Sequence, residues 1–152
     1  IAERLAERSR TMTLFVPRGA RGFVSLADGE MSLRRILLPV DRHPSPVGAI
    51  AYAARAAALM GDPPVEISLL HVGDAADLPE LDLPDSEICR FERLARAGDV
   101  VREIAKAARE TRADLIVMPT LGREGVLDAL RGSITQQVLR RVQCPMLAVP
   151  MR

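Results

Sequence analysis

The chain has 152 residues, 48% of them hydrophobic and 27% charged, with a formal net charge of +1. This suits one domain with a sizeable core and excludes a disordered chain; the near balance of charge gives no strong field to draw it to nucleic acid or an anionic membrane. Trp is absent and aromatic residues are 3% of the chain, so the core must be built from Ala, Leu, Ile and Val, and the stacking platforms of single-strand nucleic-acid binders are missing.

Taken in order, Ile1 to Pro17 reads as a helix, a short break, an apolar strand and a proline. Arg18 to Ser32 is rich in glycine and polar residues and reads as a linker, with Phe23-Val24-Ser25 able to pack locally. Arg35 to Val40 is a strand apolar enough to be buried on both faces, and Asp41 stands at its carboxyl end, the end at which open parallel sheets bind ligands. Ser45-Pro46 predicts a helix start with Ser45 as N-cap; Val47, Ile50, Ala51, Ala54 and Ala58 follow helical spacing, and Gly61 ends the helix ahead of Pro63-Pro64. Val65 to Val72 is a second buried strand, with His71 near its carboxyl end. Gly73 to Ser86 is acidic and broken by Pro79 and Pro84, which leaves little room for a long helix.

Periodicity alone leaves Ile88 to Ala97 open between helix and strand. Asp99 is a good N-cap for a helix over Val100 to Thr111, whose apolar stripe is Val101, Ile104, Ala105 and Ala108. Leu115 to Met118 is a fourth strand, followed by a glycine-bearing loop in which Val126 to Leu130 suits a short helix. Ile134 to Val142 reads as the last helix and Met146 to Val149 as the last strand. Cys89 and Cys144 are far apart, without metal-ligand spacing, and His43 and His71 do not cluster with them; this usage suits a reducing, cytoplasmic compartment. No apolar run approaches the roughly 20 residues of a membrane span, and no secretory signal is visible.

The two ends of the chain are alike. Ile1 to Pro17 aligns without gaps on Ile134 to Pro150: Ile1 meets Ile134, Leu5 meets Val138, Arg8 meets Arg141, Leu14 meets Leu147, Val16 meets Val149 and Pro17 meets Pro150. The expectation is a domain over 34–152, a linker over 18–33, and in 1–17 the last helix and strand of a preceding half. Thr13 to Val16 and Met146 to Val149 are then equivalent closing strands, expected to pair antiparallel, because neither can satisfy its backbone alone.

The most informative stretch runs from Met118 to Thr135. Gly122 follows a buried strand, and Gly132-Ser133 precedes a helix whose next residues are Ile134 and Thr135. Glycines let backbone N–H groups approach an anion, and the unpaired amides of a helix start face it. On its own the pattern also fits a loop that merely turns the chain.

Gly122, nine residues, then Gly132-Ser133 resembles the second half of the nucleotide-binding signature of the universal stress protein family, Gly-x2-Gly-x9-Gly-Ser/Thr; Pro119 stands where its first glycine falls. Arg35-Ile36-Leu37-Leu38-Pro39-Val40-Asp41 resembles the family's opening strand, and Cys144-Pro145-Met146-Leu147-Ala148-Val149-Pro150 its closing strand. The resemblance implies an α/β fold: an open, mostly parallel five-stranded twisted sheet of Rossmann-like type with helices on both faces. It also implies a third strand around Arg90 to Arg96. ATP, with magnesium, is the implied ligand. Pro39, Val40, Asp41 and Val72 would hold the adenosine, and Met118, Gly122, Gly132, Ser133, Ile134 and Thr135 would line the base and phosphate path. Pro119 offers no N–H and has a fixed φ, which favours the alternative of a non-nucleotide interaction module working through its closing-strand edge. No nucleophile–base pair, Walker lysine or metal cluster points to an enzyme beyond a slow ATPase. The expected partners are an adenine nucleotide and a second half or second copy at the closing strand, with no nucleic acid and no membrane.

Overall fold

The computed structural model of the chain describes residues 12–121 and 134–151. In chain order the elements are β1 (Thr13–Phe15), β2 (Leu33–Pro39), α1 (Val47–Met60), β3 (Gly61–Val72), a single 3-10 turn at Ala75–Asp77, β4 (Cys89–Arg96), α2 (Val100–Glu110), β5 (Leu115–Leu121), α3 (Ile134–Leu139) and β6 (Met146–Met151). They form one sheet in the order β1-β6-β5-β2-β3-β4. The expected five-stranded parallel sheet is there, and β1 adds a sixth strand, antiparallel to β6.

The sheet has an apolar layer on each side because its strands carry few polar residues on either face. On one side Ile36, Leu38, Ile67, Leu69 and Val117 pack against α1 through Ala49, Ile50, Ala53 and Ala57. On the other, Leu37, Leu70, Ile116 and Met146 pack with Val101, Ile104 and Ala108 of α2 and Val138 of α3. The stripe expected on α2 is the buried one, with Ala107 added, and Asp99 caps the helix by accepting from the Arg102 N–H at 2.9 Å. At the other end, the Arg112 N–H reaches the Arg109 carbonyl and the Ala113 N–H the Ala108 carbonyl. That pairing closes a helix through a left-handed residue, here Arg112 at φ 51°.

The start of α1 corrects the sequence reading. The N-cap is Pro46, without a side-chain cap bond, so Ser45 does not cap the helix. Ala49, Ile50, Ala53, Ala56 and Ala57 form the buried face, while Val47, Ala51 and Ala58 are exposed. Alanine at so many positions leaves the rotational phase of the helix unspecified, and packing against the sheet chooses it. Gly61 does end α1, but in an extended conformation that is already the first residue of β3.

Arg90 to Arg96 forms an edge strand rather than a helix, pairing parallel with β3 from Val65↔Cys89 to Val72↔Arg96. The stretch read as a linker is docked. Val24 and Met31 form an antiparallel bridge, and Phe23 enters the core on the α1 side. Residues 1–11 and the expected helix at 126–130 lie outside the described residues.

β1 meets β6 as expected for the two closing strands. The register is Thr13↔Ala148, Leu14↔Leu147 and Phe15↔Met146.

Candidate functional site

Strand order sets where a ligand can sit. From β2 the chain moves out through β3 to β4, then returns to the other side of β2 with β5 and β6. The order therefore reverses between β2 and β5, and the crevice beyond their carboxyl ends is where sheets of this kind bind ligands.

The hydrogen-bonded pairing of the two strands ends early there. Their ladder holds only two rungs, Ile36↔Leu115 and Leu37↔Ile116, although both strands run on. The reason lies in the sequence. The Asp114 N–H bonds the Arg35 carbonyl and the Ile116 N–H the Pro145 carbonyl, while the Val40 N–H bonds the Leu70 carbonyl. Alternation along the strands then points the amide positions of Pro39 and Pro119 at each other's strand. Neither residue has an N–H, so the ladder stops short of the strand ends. Counting on from the last rung, Val40 falls beside Pro119 and Asp41 beside Thr120.

The sequence-predicted residues that are described gather at this end of the sheet. Pro39, Val40 and Asp41 close β2, and the Pro39↔Leu70 pairing brings Asp41 level with Val72 of β3. Asp41 is exposed, and its Oδ1 accepts from the neighbouring Arg42 N–H at 2.7 Å. Val40 is buried and Val72 half-buried. Met118 of β5 is buried in the α2-side core, so only its backbone is free to face a ligand. Ile134, exposed, and Thr135, buried, begin α3. Gly122, Gly132 and Ser133 lie outside the described residues.

Three residues were missed or underrated from the sequence. Thr120, next to the crevice, has a buried hydroxyl with no hydrogen-bond partner among the described residues. His71 is 3% exposed, and its Nδ1 lies 3.2 Å from the Val40 carbonyl oxygen. Asp114, at the opposite end of the β2–β5 seam, is 6% exposed. Its Oδ2 accepts from the Arg34 and Arg35 N–H groups at 3.0 and 2.9 Å, and its Oδ1 lies 3.4 Å from Arg21 Nη2.

A shallow cleft of about 170 Å³ opens at the amino ends of the strands, lined by Arg21, Arg109, Arg112, Val142 and Cys144 among others. The carbonyl end of α2 faces it, so its arginines complement the helix dipole rather than mark an anion site. Burial, aided by the Asp114 carboxylate, pushes the Cys144 thiol up to about 11, which leaves it a neutral wall.

Comparison with known proteins agrees with this architecture. Residues 87–150 match the model of the Universal stress protein family. A universal stress protein of Methanocaldococcus jannaschii is 40% identical over 52 residues, 34% of this chain and 31% of that protein. A universal stress protein structure from Archaeoglobus fulgidus superposes with a TM-score of 0.68 at 18% identity, covering 98% of this chain and 53% of its own. UspA from Lactobacillus plantarum gives a TM-score of 0.57 at 17% identity over 80% of this chain and 99% of its own. A universal stress protein in complex with cAMP gives 0.56 at 20% identity over 78% and 98%. The chain thus spans about a third of the curated relative and about half of the Archaeoglobus chain. Residues 87–150 thus resemble the universal stress protein family in sequence, and the chain shares the fold of universal stress protein structures.

Proposed function

We propose that the chain is a stress-response regulatory domain that binds an adenine nucleotide, ATP with magnesium, in the crevice between the carboxyl ends of β2 and β5. The observation that carries this reading is the seam itself. Two prolines, Pro39 and Pro119, end its ladder, and the predicted ligand-binding segments leave from its two sides: Asp41 from β2 and the glycine stretch from β5. Asp41 would accept from ribose hydroxyls or the adenine amine. Val72 would offer backbone groups to the base, and the amides around Gly132 and Ser133 would meet the phosphates. These residues include no nucleophile–base pair, so the reading is of binding rather than turnover. The cAMP complex of a universal stress protein of the same fold supports an adenine ligand.

Calorimetry with ATP and magnesium tests it. Binding in the micromolar to millimolar range is expected, lost in Gly132→Val, whose side chain would block approach of the phosphates. A folded protein that gives no heat at millimolar ATP sinks the proposal. It would favour the second reading, an interaction module working through its closing-strand edge, to which Pro119 already points by withholding a donor where the family's loop has glycine.

We also propose that residues 1–17 close a preceding half of a tandem protein. The gap-free alignment matches Leu14 with Leu147, and the ladder pairs the same two residues. Thr13, aligned with Met146, pairs with Ala148; Phe15, aligned with Ala148, pairs with Met146. Such reciprocity is what a two-fold axis through the Leu14–Leu147 pair would impose. In a chain extended upstream, the outer edge of β1 should carry a further parallel strand. A structure of that longer chain with the edge left solvated would refute the reading.

A further inference from the structure

We infer that His71 is a positioning residue of the crevice: its imidazole, donating from Nδ1, fixes the Val40 carbonyl and with it the point at which the chain leaves β2 for Asp41. A carbonyl oxygen only accepts, so the 3.2 Å contact requires the proton on Nδ1. The Val40 N–H is already held by the Leu70 carbonyl at 2.8 Å. The peptide groups on both sides of Val40 are therefore tied to β3, one by the ladder and one by a side chain. Without the imidazole the carbonyl would lose its buried partner on the β3 side where the strands end.

The surroundings are shaped to the ring. Nε2 is buried and has no hydrogen-bond partner among the described residues. What it faces is Gly73: a Cβ there would lie 2.8 Å from Nε2 and 3.4 Å from Cε1. Gly73 is not in a left-handed conformation; its backbone would accept alanine, and only the ring forbids one. Its own N–H is bonded to the Arg96 carbonyl at 2.8 Å, so the wall cannot retreat without breaking the β3–β4 junction. The imidazole lies between the end of β2 and a fixed glycine, with one nitrogen engaged and the other facing the space that a Cβ on Gly73 would fill.

The functional arm of this inference rests on the nucleotide reading above; the structural arm does not. Long-range ¹⁵N–¹H correlation spectra of the folded protein should show His71 with hydrogen on Nδ1 and a bare Nε2. A ring carrying its proton on Nε2 overturns the inference. His71→Asn puts an amide nitrogen near the Nδ1 position, whereas His71→Gln puts one near Nε2. The Asn variant should keep the wild-type affinity for ATP and the wild-type amide exchange of Asp41 and Arg42. The Gln variant should bind about fivefold more weakly, the scale of one hydrogen bond, and exchange faster at both amides. Gly73→Ala should reproduce the Gln phenotype in the wild-type background and be nearly silent beside His71→Asn. Equal effects of Asn and Gln, or an unchanged Gly73→Ala protein, would overturn the assignment. If the wild type binds no nucleotide, the binding proposal fails on its own, and the tautomer and amide exchange still decide the role of His71.

Discussion

Replacing Asp114 with alanine should cost about 3 kcal/mol of stability, read as a lower urea midpoint at unchanged slope. The carboxylate is buried and serves two backbone amides of β2 through one oxygen. Alanine leaves both N–H groups without an acceptor, and each such loss costs on the order of 1–3 kcal/mol. Asp114→Asn keeps an oxygen for those amides and should cost about 1 kcal/mol. Arg21→Ala removes only a longer contact from a side chain that is 76% exposed and should cost under about 1 kcal/mol. An Asp114→Ala protein no less stable than Arg21→Ala would show that the carboxylate matters through the surface pair and not through the backbone.

Gly61→Val should destabilise by a similar amount, about 3 kcal/mol, for a steric reason. The residue is both the C-cap of α1 and the first residue of β3, and its N–H bonds the Ala57 carbonyl. A Cβ there would meet the Val65 Cγ2 at 2.5 Å and the Ala57 carbonyl oxygen closer still. Backbone cannot step aside cheaply, so the end of the helix or the start of the strand must shift. Gly22→Ala is the control: the nearest atom to a Cβ there is Val24 N at 3.9 Å, and the change should be close to neutral. Urea denaturation of both variants checks this; a tolerated Gly61→Val would mean that the helix–strand junction is plastic.

These two positions show where sequence reasoning reached and where it stopped. Most strands were legible because each is a short, nearly continuous apolar run, and α2 because its stripe has one phase and an aspartate cap; β4, with Arg90, Glu92, Arg93 and Arg96, was implied only by the family resemblance. The phase of α1 was not legible, since alanine fits either face of that helix. Gly61 read correctly as a helix end, but its need for space depends on Val65 and Ala57, which come together only in the fold. Asp114 is not singled out by the sequence; its importance depends on β2, some eighty residues upstream. At the candidate site, Asp41 could be placed because strand ends are visible in sequence, whereas Val72 was implied by the family resemblance. Pro39 could not be recognised as one of two prolines that end the β2–β5 ladder, because strand order is a tertiary property.

The short β2–β5 ladder has a mechanical consequence. Every other joint in the sheet has at least three paired positions, and the two beside this seam have six each among the described residues. The sheet is thus two stiff leaves, β1-β6-β5 and β2-β3-β4, joined by two rungs and pinned at one end by a buried carboxylate. Asp114 sits at the foot like the spring of a clothes peg, and Pro39 and Pro119 are the jaws. Slight rotation of the leaves about that foot would widen or narrow the mouth and would have to be taken up by the apolar layers, each of which spans the seam. A molecule gripped in the jaws would then report its presence as a change in angle between the leaves, carried to β1 at the far edge.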